Sequence, residues 1–358
     1  MKIGILTFHR AVNYGAVLQA WALQTFLQNK GYDAGILDYR CKAIEENYKL
    51  LSKHKIFAGS LLSSVKYILS RIFHFSVILN RKKEFNEFIN NRLNLLGLQE
   101  VKNLDVVITG SDQVWNPFLT GGINDYYFLN IEDFNDKNKI AYAVSGEIKY
   151  IDDSFVRQVA PIAAKIPNIS VRESNLKQVL RIQNAKVCVD PIFLLTFEEW
   201  GAIGQRRIVE EDYIFLFEVV PSPLSKKITK LLARKMGLKV IFLNSGFKFL
   251  KRSSNLKTQV GPEDFVSLIR YASFVVTTSF HGMALSMLLR KQFVLSPTKN
   301  MNRQNSLLKE IRLENRVINS IDKLHHIKDI TYTDNMFAQL SQSSKEFLIS
   351  SLKHDKAI

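Results

Sequence analysis

Ten short runs rich in β-branched and aromatic residues punctuate this chain, and most are continuously apolar rather than alternating. Strands of that kind are buried on both faces, as in a parallel sheet covered by helices. Six runs come first, at 2–7, 34–38, 105–109, 139–144, 169–172 and 186–189. Four follow, at 213–218, 239–243, 274–277 and 292–295. Helical patterns separate them. In 16–29 apolar residues recur at helical spacing and Gly31 follows the end, so 2–38 reads as one βαβ unit.

The two series part near Asp190-Pro191, after which Thr196 caps a helix that opens with Glu198 and Glu199. The expected fold is α/β: two doubly wound Rossmann-like domains facing a cleft. Residues 1–190 form the first, with a basic helical insertion near 47–95. Residues 191–358 form the second, with the last helix packing back on the first. Such length suits two cores better than one.

The formal net charge is +16, and it is not evenly spread. The stretches 47–83 and 219–262 hold eight and ten Lys or Arg and no acid, which is more than the whole surplus. Anionic partners are implied: nucleic acid, a membrane surface or a phosphorylated ligand. The first stretch contains the most apolar run, 56–79, but Lys66 and Arg71 lie inside it. Each would cost about 2.5–3.5 kcal/mol at the centre of a spanning helix. Two readings fit: a helix packed on its domain with Lys and Arg snorkelling outward, or an interfacial helix with Phe57, Leu61, Leu62, Tyr67, Ile68, Phe73 and Phe75 facing lipid. Two cysteines, Cys41 and Cys188, exclude a disulfide scaffold and fit a reducing compartment. The N-terminus reads as a strand rather than a secretory signal, so a cytoplasmic location is expected.

Polar clusters fall at the carboxyl ends of the expected strands, where ligands of open α/β sheets bind. His9 to Ala16 follows the first strand. Asn13 and Gly15 open a helix there, as a plain cap or as an anion-binding turn. Gly110 to Pro117 follows another strand. Ser111 or Asp112 caps the next turn, or else Asp112 and Gln113 touch a sugar or phosphate with Trp115 as a platform. Arg172 ends a further strand, as a two-point grip on an anion or as a partner of Glu173. The sharpest cluster is Thr277 to Gly282, which opens a helix. His281 there suits acid/base work, or caps the helix. No metal-ligand pattern, dinucleotide fingerprint, phosphate loop, hydrolase elbow or nucleic-acid motif is present.

Taken in order, these clusters resemble the polysaccharide pyruvyl transferase family. The resemblance runs from Lys2 to about Val317. It is carried by Asn13-Tyr14-Gly15-Ala16 with Leu18-Gln19-Ala20, by Gly110 to Asn116, by Ser170-Val171-Arg172-Glu173, and by Asp190-Pro191 with Trp200. Ser279-Phe280-His281-Gly282 and Arg303 to Leu308, leading to Leu313 and Arg316, complete it. The resemblance implies an architecture similar to GT-B glycosyltransferases. It implies transfer of pyruvate from phosphoenolpyruvate to two hydroxyls of one sugar, as a cyclic ketal, in capsule or exopolysaccharide synthesis.

On that footing His281 is the acid/base, and Arg172, Ser279, Arg303, Asn13 and Gly15 bind the donor. Asp112, Gln113 and Trp115 bind the acceptor. No cofactor and no metal are implied. Several relatives carry Arg where this chain has Ser279, so the second donor cation is expected from Arg303, with Arg10 behind it. The basic stretches suit a lipid-diphosphate-linked glycan and the inner face of the plasma membrane, with no nucleic acid. A nucleotide-sugar glycosyltransferase and a non-catalytic glycan-binding module are the alternatives.

Overall fold

The computed structural model describes residues 1–49, 51, 60–244 and 260–353. The chain divides into two units. One takes Met1–Lys53, Asn86–Leu195 and Ala338–Ile358; the other takes His54–Phe85 and Thr196–Phe337.

The first unit is built on seven parallel strands: β1 (Lys2–Leu6), β2 (Asp33–Leu37), β3 (Leu95–Leu96), β4 (Val106–Gly110), β5 (Asn138–Val144), β6 (Asn168–Val171) and β7 (Lys186–Val187). Their order is β3-β2-β1-β4-β5-β6-β7. The second holds four described parallel strands, β8 (Tyr213–Glu218), β9 (Lys239–Asn244), β10 (Phe274–Thr277) and β11 (Phe293–Leu295), in the order β11-β10-β8-β9. Each is an α/β unit, as the continuous apolar runs require. All ten expected strands form; among the described residues only the two-residue β3 is added.

Each sheet reverses direction once. The chain leaves β1 for β2 on one side and later returns to β4 on the other, and β8 stands likewise between β9 and β10. At such a switch point neighbouring loops part, and ligands bind outside the carboxyl ends of the strands. The relevant loops are therefore those after β1 and β4 in one unit, and after β8 and β10 in the other.

Described helices are α1 (Tyr14–Asn29), α2 (Lys42–Tyr48), α3 (Leu61–Phe73), α4 (Phe75–Arg92), α5 (Pro117–Thr120), α6 (Asp153–Ala163) and α7 (Ser174–Val179). They continue with α8 (Phe197–Ile203), α9 (Pro223–Met236), α10 (Pro262–Arg270), α11 (Phe280–Leu288), α12 (Asn302–Glu310) and α13 (Asp334–Lys353). Helix α1 is buried almost all round and packs on β2 and on the 3-10 turn Pro191–Leu194. Gly31, at φ +83°, takes the left-handed conformation that follows its end. At α8 the expected cap is present: Thr196 Oγ1 accepts from Glu199 N, and the Glu199 side chain accepts from Thr196 N. Both cysteines are free and buried.

The basic segment departs from expectation in two ways. His54–Phe85 groups with the second unit, not the first. Its buried face is also not purely apolar: Ile78 and Phe85 are buried there, but so are two arginines. Arg71 turns inward, only 4% exposed, with its guanidinium 5.2 Å from the Tyr67 ring centre. Arg81 is buried and donates to Asn244 O at 3.3 Å. Of the residues expected to face lipid, Leu62, Phe73 and Phe75 are exposed, whereas Tyr67 and Ile68 are half-buried. Phe57 and the side chain of Leu61 lie outside the described residues, as does 245–259 of the second basic stretch. Among the described residues no helix is long and apolar enough to cross a membrane.

Candidate functional site

In the first unit β4, β5 and β6 are neighbours, so the loops after them lie side by side. Ser170 on β6 shapes this edge. Its hydroxyl accepts from Ala143 N at 2.9 Å and donates to Ala141 O at 3.2 Å, holding a bulge in β5 where Ala143 has φ +45°. A bulge re-aims the residues that follow. Beyond it Ser145 N donates to Asp112 O at 3.0 Å and Ser145 Oγ to Glu173 Oε1 at 2.9 Å.

Arg172 lies at the centre of this knot. Its Nη1 donates to Asp190 Oδ2, while Nη2 lies 3.8 Å from Asp112 Oδ1 and Nε 4.0 Å from Glu173 Oε1. Asp190 Oδ1 in turn accepts from Ile192 N at 3.1 Å, capping the 3-10 turn on which α1 packs. Burial works to lower the Arg172 pKa, but Asp190, Glu173 and Asp112 outweigh it and the net shift is upward. With one guanidinium among three carboxylates, the cluster is formally negative. An incoming phosphate would meet those carboxylates and a guanidinium already engaged. Arg172 is thus held in an internal ion cluster with Asp190, Asp112 and Glu173.

Two more expectations change here. Trp115 is 1% exposed, stacks on Phe128 with ring centres 4.9 Å apart, and donates Nε1 to Tyr127 O at 2.9 Å. It is part of the core and offers no platform to a sugar. Asn13 Oδ1 accepts from Gly15 N at 3.0 Å and Ala16 N at 3.4 Å, so the N–H groups expected to take an anion serve the helix cap. Asp112 and Gln113 keep partial exposure. Ser111 and Asp112 have φ +27° and +62°, a strained pair of the kind found at binding loops.

Sequence reasoning gave Gln19 no role, although a glutamine inside an apolar helix is the signal. Gln19 Nε2 donates to Thr7 Oγ1 at 2.7 Å, and Thr7 Oγ1 donates to Ser111 O at 3.3 Å, tying α1 to the loops after β1 and β4. Arg10, the reserve cation, makes two bonds to Asp38, at 2.8 and 2.7 Å, and the buried His9 bonds the same carboxylate at 3.0 Å. These hydrogen bonds, from His9 first and then Arg10, hold the Asp38 carboxyl well below the usual range. Arg10 is thus paired too.

In the second unit the loops after β8, β10 and β11 are tied together. Thr278 Oγ1 accepts from Val219 N at 3.1 Å and donates to Val220 O at 3.0 Å. Ser222, which caps α9, shares a hydroxyl hydrogen bond of 3.0 Å with Ser296 after β11. The buried Glu218 was not anticipated. Its Oε1 accepts from Ser222 N at 3.1 Å and from Ser225 Oγ.

The switch-point loop of this sheet carries Ser279 and His281. Ser279 caps α11, its Oγ accepting from Gly282 N at 3.2 Å; its own proton is left to donate. His281 follows on the first turn, half-buried. Gly282 is needed for that turn to sit down on the sheet. A Cβ there would meet Thr277 Oγ1 at 2.6 Å and Phe217 Cδ1 at 2.9 Å. The Arg303 guanidinium of α12 lies 5.8 Å from the Phe280 ring centre, beside the same turn. An imidazole, a hydroxyl and a cation thus stand on or next to one helix N-terminus, which itself favours negative charge. Among the described residues no cluster of three or more His, Cys, Asp or Glu side chains is arranged to hold a metal ion.

A family model described as polysaccharide pyruvyl transferase matches residues 13–300. No curated protein is significantly similar to the chain. Among solved structures, the chain is similar to UDP-GlcNAc 2-epimerase from Methanocaldococcus jannaschii, at TM-score 0.49 and 11% identity over 98% of this chain and 99% of that one. It is also similar to the glycosyltransferase SnogD from Streptomyces nogalater, at TM-score 0.39 and 10% identity over 99% and 98%. The heptosyltransferase WaaC of E. coli gives TM-score 0.39 and 11% identity over 98% and 100%.

Proposed function

Because the chain belongs to the polysaccharide pyruvyl transferase family, we propose that it moves pyruvate from phosphoenolpyruvate onto two hydroxyls of one sugar, closing a cyclic ketal and releasing phosphate. The observation that carries this is the α11 N-terminus, with His281 on its first turn and Arg303 beside it.

The chemistry makes specific demands. A proton must reach the methylene carbon of phosphoenolpyruvate, which leaves the adjacent carbon electrophilic. One sugar hydroxyl adds there and gives up its proton. The carbon–oxygen bond to phosphate breaks, phosphate leaves with the bonding electrons, and the second hydroxyl adds at the same carbon and loses its proton. Imidazole both gives and takes protons near neutral pH, so His281 suits the first step and the return of a hydroxyl proton. Donor and leaving group are anionic throughout. Arg303, the Ser279 hydroxyl and the helix N-terminus supply positive or proton-donating groups for them.

In the first unit the strand-end cluster is acid-rich, which suits a polyol rather than an anion. Sugar hydroxyls donate to carboxylates and amide oxygens, and Asp112 and Gln113 are the acceptor-side residues of this proposal. The proposed acceptor is a lipid-diphosphate-linked glycan of capsule or exopolysaccharide synthesis, handled on the cytoplasmic face of the membrane without a cofactor or metal.

The test is phosphate release from phosphoenolpyruvate in the presence of lipid-linked oligosaccharides. Acceptor-dependent release by the wild type, lost in His281→Ala at unchanged foldedness, is expected. A folded wild type that releases no phosphate with any acceptor contradicts the proposal.

A further inference from the structure

Helix α3 is amphipathic in the wrong sense for a helix that serves only its own unit. Leu62, Val65, Leu69, Ile72 and Phe73 recur at spacings of three, four and seven, which places them on one face, and all are exposed. Leu62 and Ile72 are 65% and 66% exposed and Phe73 84%. Among the described side chains of α3 the buried positions are Ser64 and Arg71, with Tyr67 and Ile68 half-buried beside them, and Phe75 extends the outward apolar surface into α4. A surface helix normally buries its apolar stripe and exposes its charges. A contiguous apolar face left outside marks a surface that something else covers.

Charge identifies the cover. Lys66 is exposed on the same face as Leu62, Leu69 and Phe73, and no acid occurs between 47 and 83. A second copy docking face to face would bring Lys66 against Lys66. An anionic lipid surface offers acyl chains for the apolar stripe and negative headgroups for the cations.

We propose that α3 and the start of α4 lie on an anionic lipid surface, with Leu62, Leu69, Ile72 and Phe73 among the acyl chains and Lys66 reaching the headgroups. This goes beyond the pyruvyl-transfer reading and does not depend on it, since it concerns the protein without substrate.

The experiment is co-sedimentation of the full chain with vesicles of phosphatidylcholine, with and without phosphatidylglycerol. Three variants are compared: wild type, Leu69→Glu/Ile72→Glu, and Lys66→Ala. The side chains are exposed, so folding is expected to survive, and circular dichroism checks it. Wild type should sediment with the anionic vesicles only, less so as salt rises. The double variant should lose sedimentation. Lys66→Ala should bind about fivefold more weakly, the effect of one cation at such a surface. Wild-type binding to neither vesicle, or equal binding by the double variant, overturns the proposal. Concentration-dependent self-association abolished by the double variant also overturns it, in favour of a second copy.

Discussion

Arg172 and Asp190 lie eighteen residues apart in the chain, and the guanidinium of the first donates to the buried carboxylate of the second. The pair joins the end of β6 to the turn that supports α1. Breaking one member of a buried ion pair typically costs about 3–5 kcal/mol, because the other charge is left behind. Asp190→Ala should lose about that much in denaturant unfolding. Arg172→Lys should also lower stability, since an ammonium cannot span the same carboxylates. An Arg172→Lys variant of full stability whose only defect is a raised KM for phosphoenolpyruvate would instead support an anion-grip role.

Trp115 leads to a prediction about the acceptor. Its ring is stacked and enclosed, so Trp115→Ala should cost about 3–5 kcal/mol of stability. The fraction that remains folded should bind glycan as the wild type does. Weaker glycan binding at unchanged stability would reinstate a platform.

Asp38 makes stability depend on pH in a defined direction. His9 and Arg10 hold its folded-state pKa below the value of about 3.9 found in an unfolded chain. A depressed carboxyl contributes stability that is present above the unfolded value and is lost as pH falls towards the folded one. Asp38→Asn should therefore be less stable than wild type at pH 7, and the gap should close as both are taken well below pH 4. Thermal unfolding across that range reads it directly.

Gly282 couples packing to the turn that carries His281. Gly282→Ala forces a methyl against Thr277 and Phe217, and overpacking of that kind costs about 1–3 kcal/mol. Relief requires α11 to move, and His281 moves with it. Turnover by the folded variant should fall while the affinity for vesicles stays unchanged.

The strands were legible because burial on both faces leaves continuous apolar runs, and the candidate loops because polar and small residues end those runs. β3 escaped because two leucines carry no period. What a run cannot disclose is its partner across the fold. Trp115 among polar neighbours looks exposed; its burial is decided by Tyr127 and Phe128, which the chain brings back twelve and more residues later. Arg172 beside Glu173 looks available until Asp190 is in place. The inward turn of Arg71 was hidden for a related reason: helical periodicity identifies faces, not which of them the rest of the unit covers. By contrast Ser279 and His281 were legible together because both open the helix that follows one apolar strand, whereas Arg303 entered only through the family resemblance.

The central claim is that a proton is delivered to the methylene carbon of phosphoenolpyruvate as the ketal forms. The direct measurement is the reaction run in deuterium oxide with a lipid-linked glycan acceptor, followed by mass spectrometry of the product. Acceptor-dependent phosphate release and a single deuterium in the methyl group of the new ketal are expected, and neither in His281→Ala. A product carrying a transferred sugar instead of a pyruvyl ketal, or His281→Ala turning over at the wild-type rate, would contradict it.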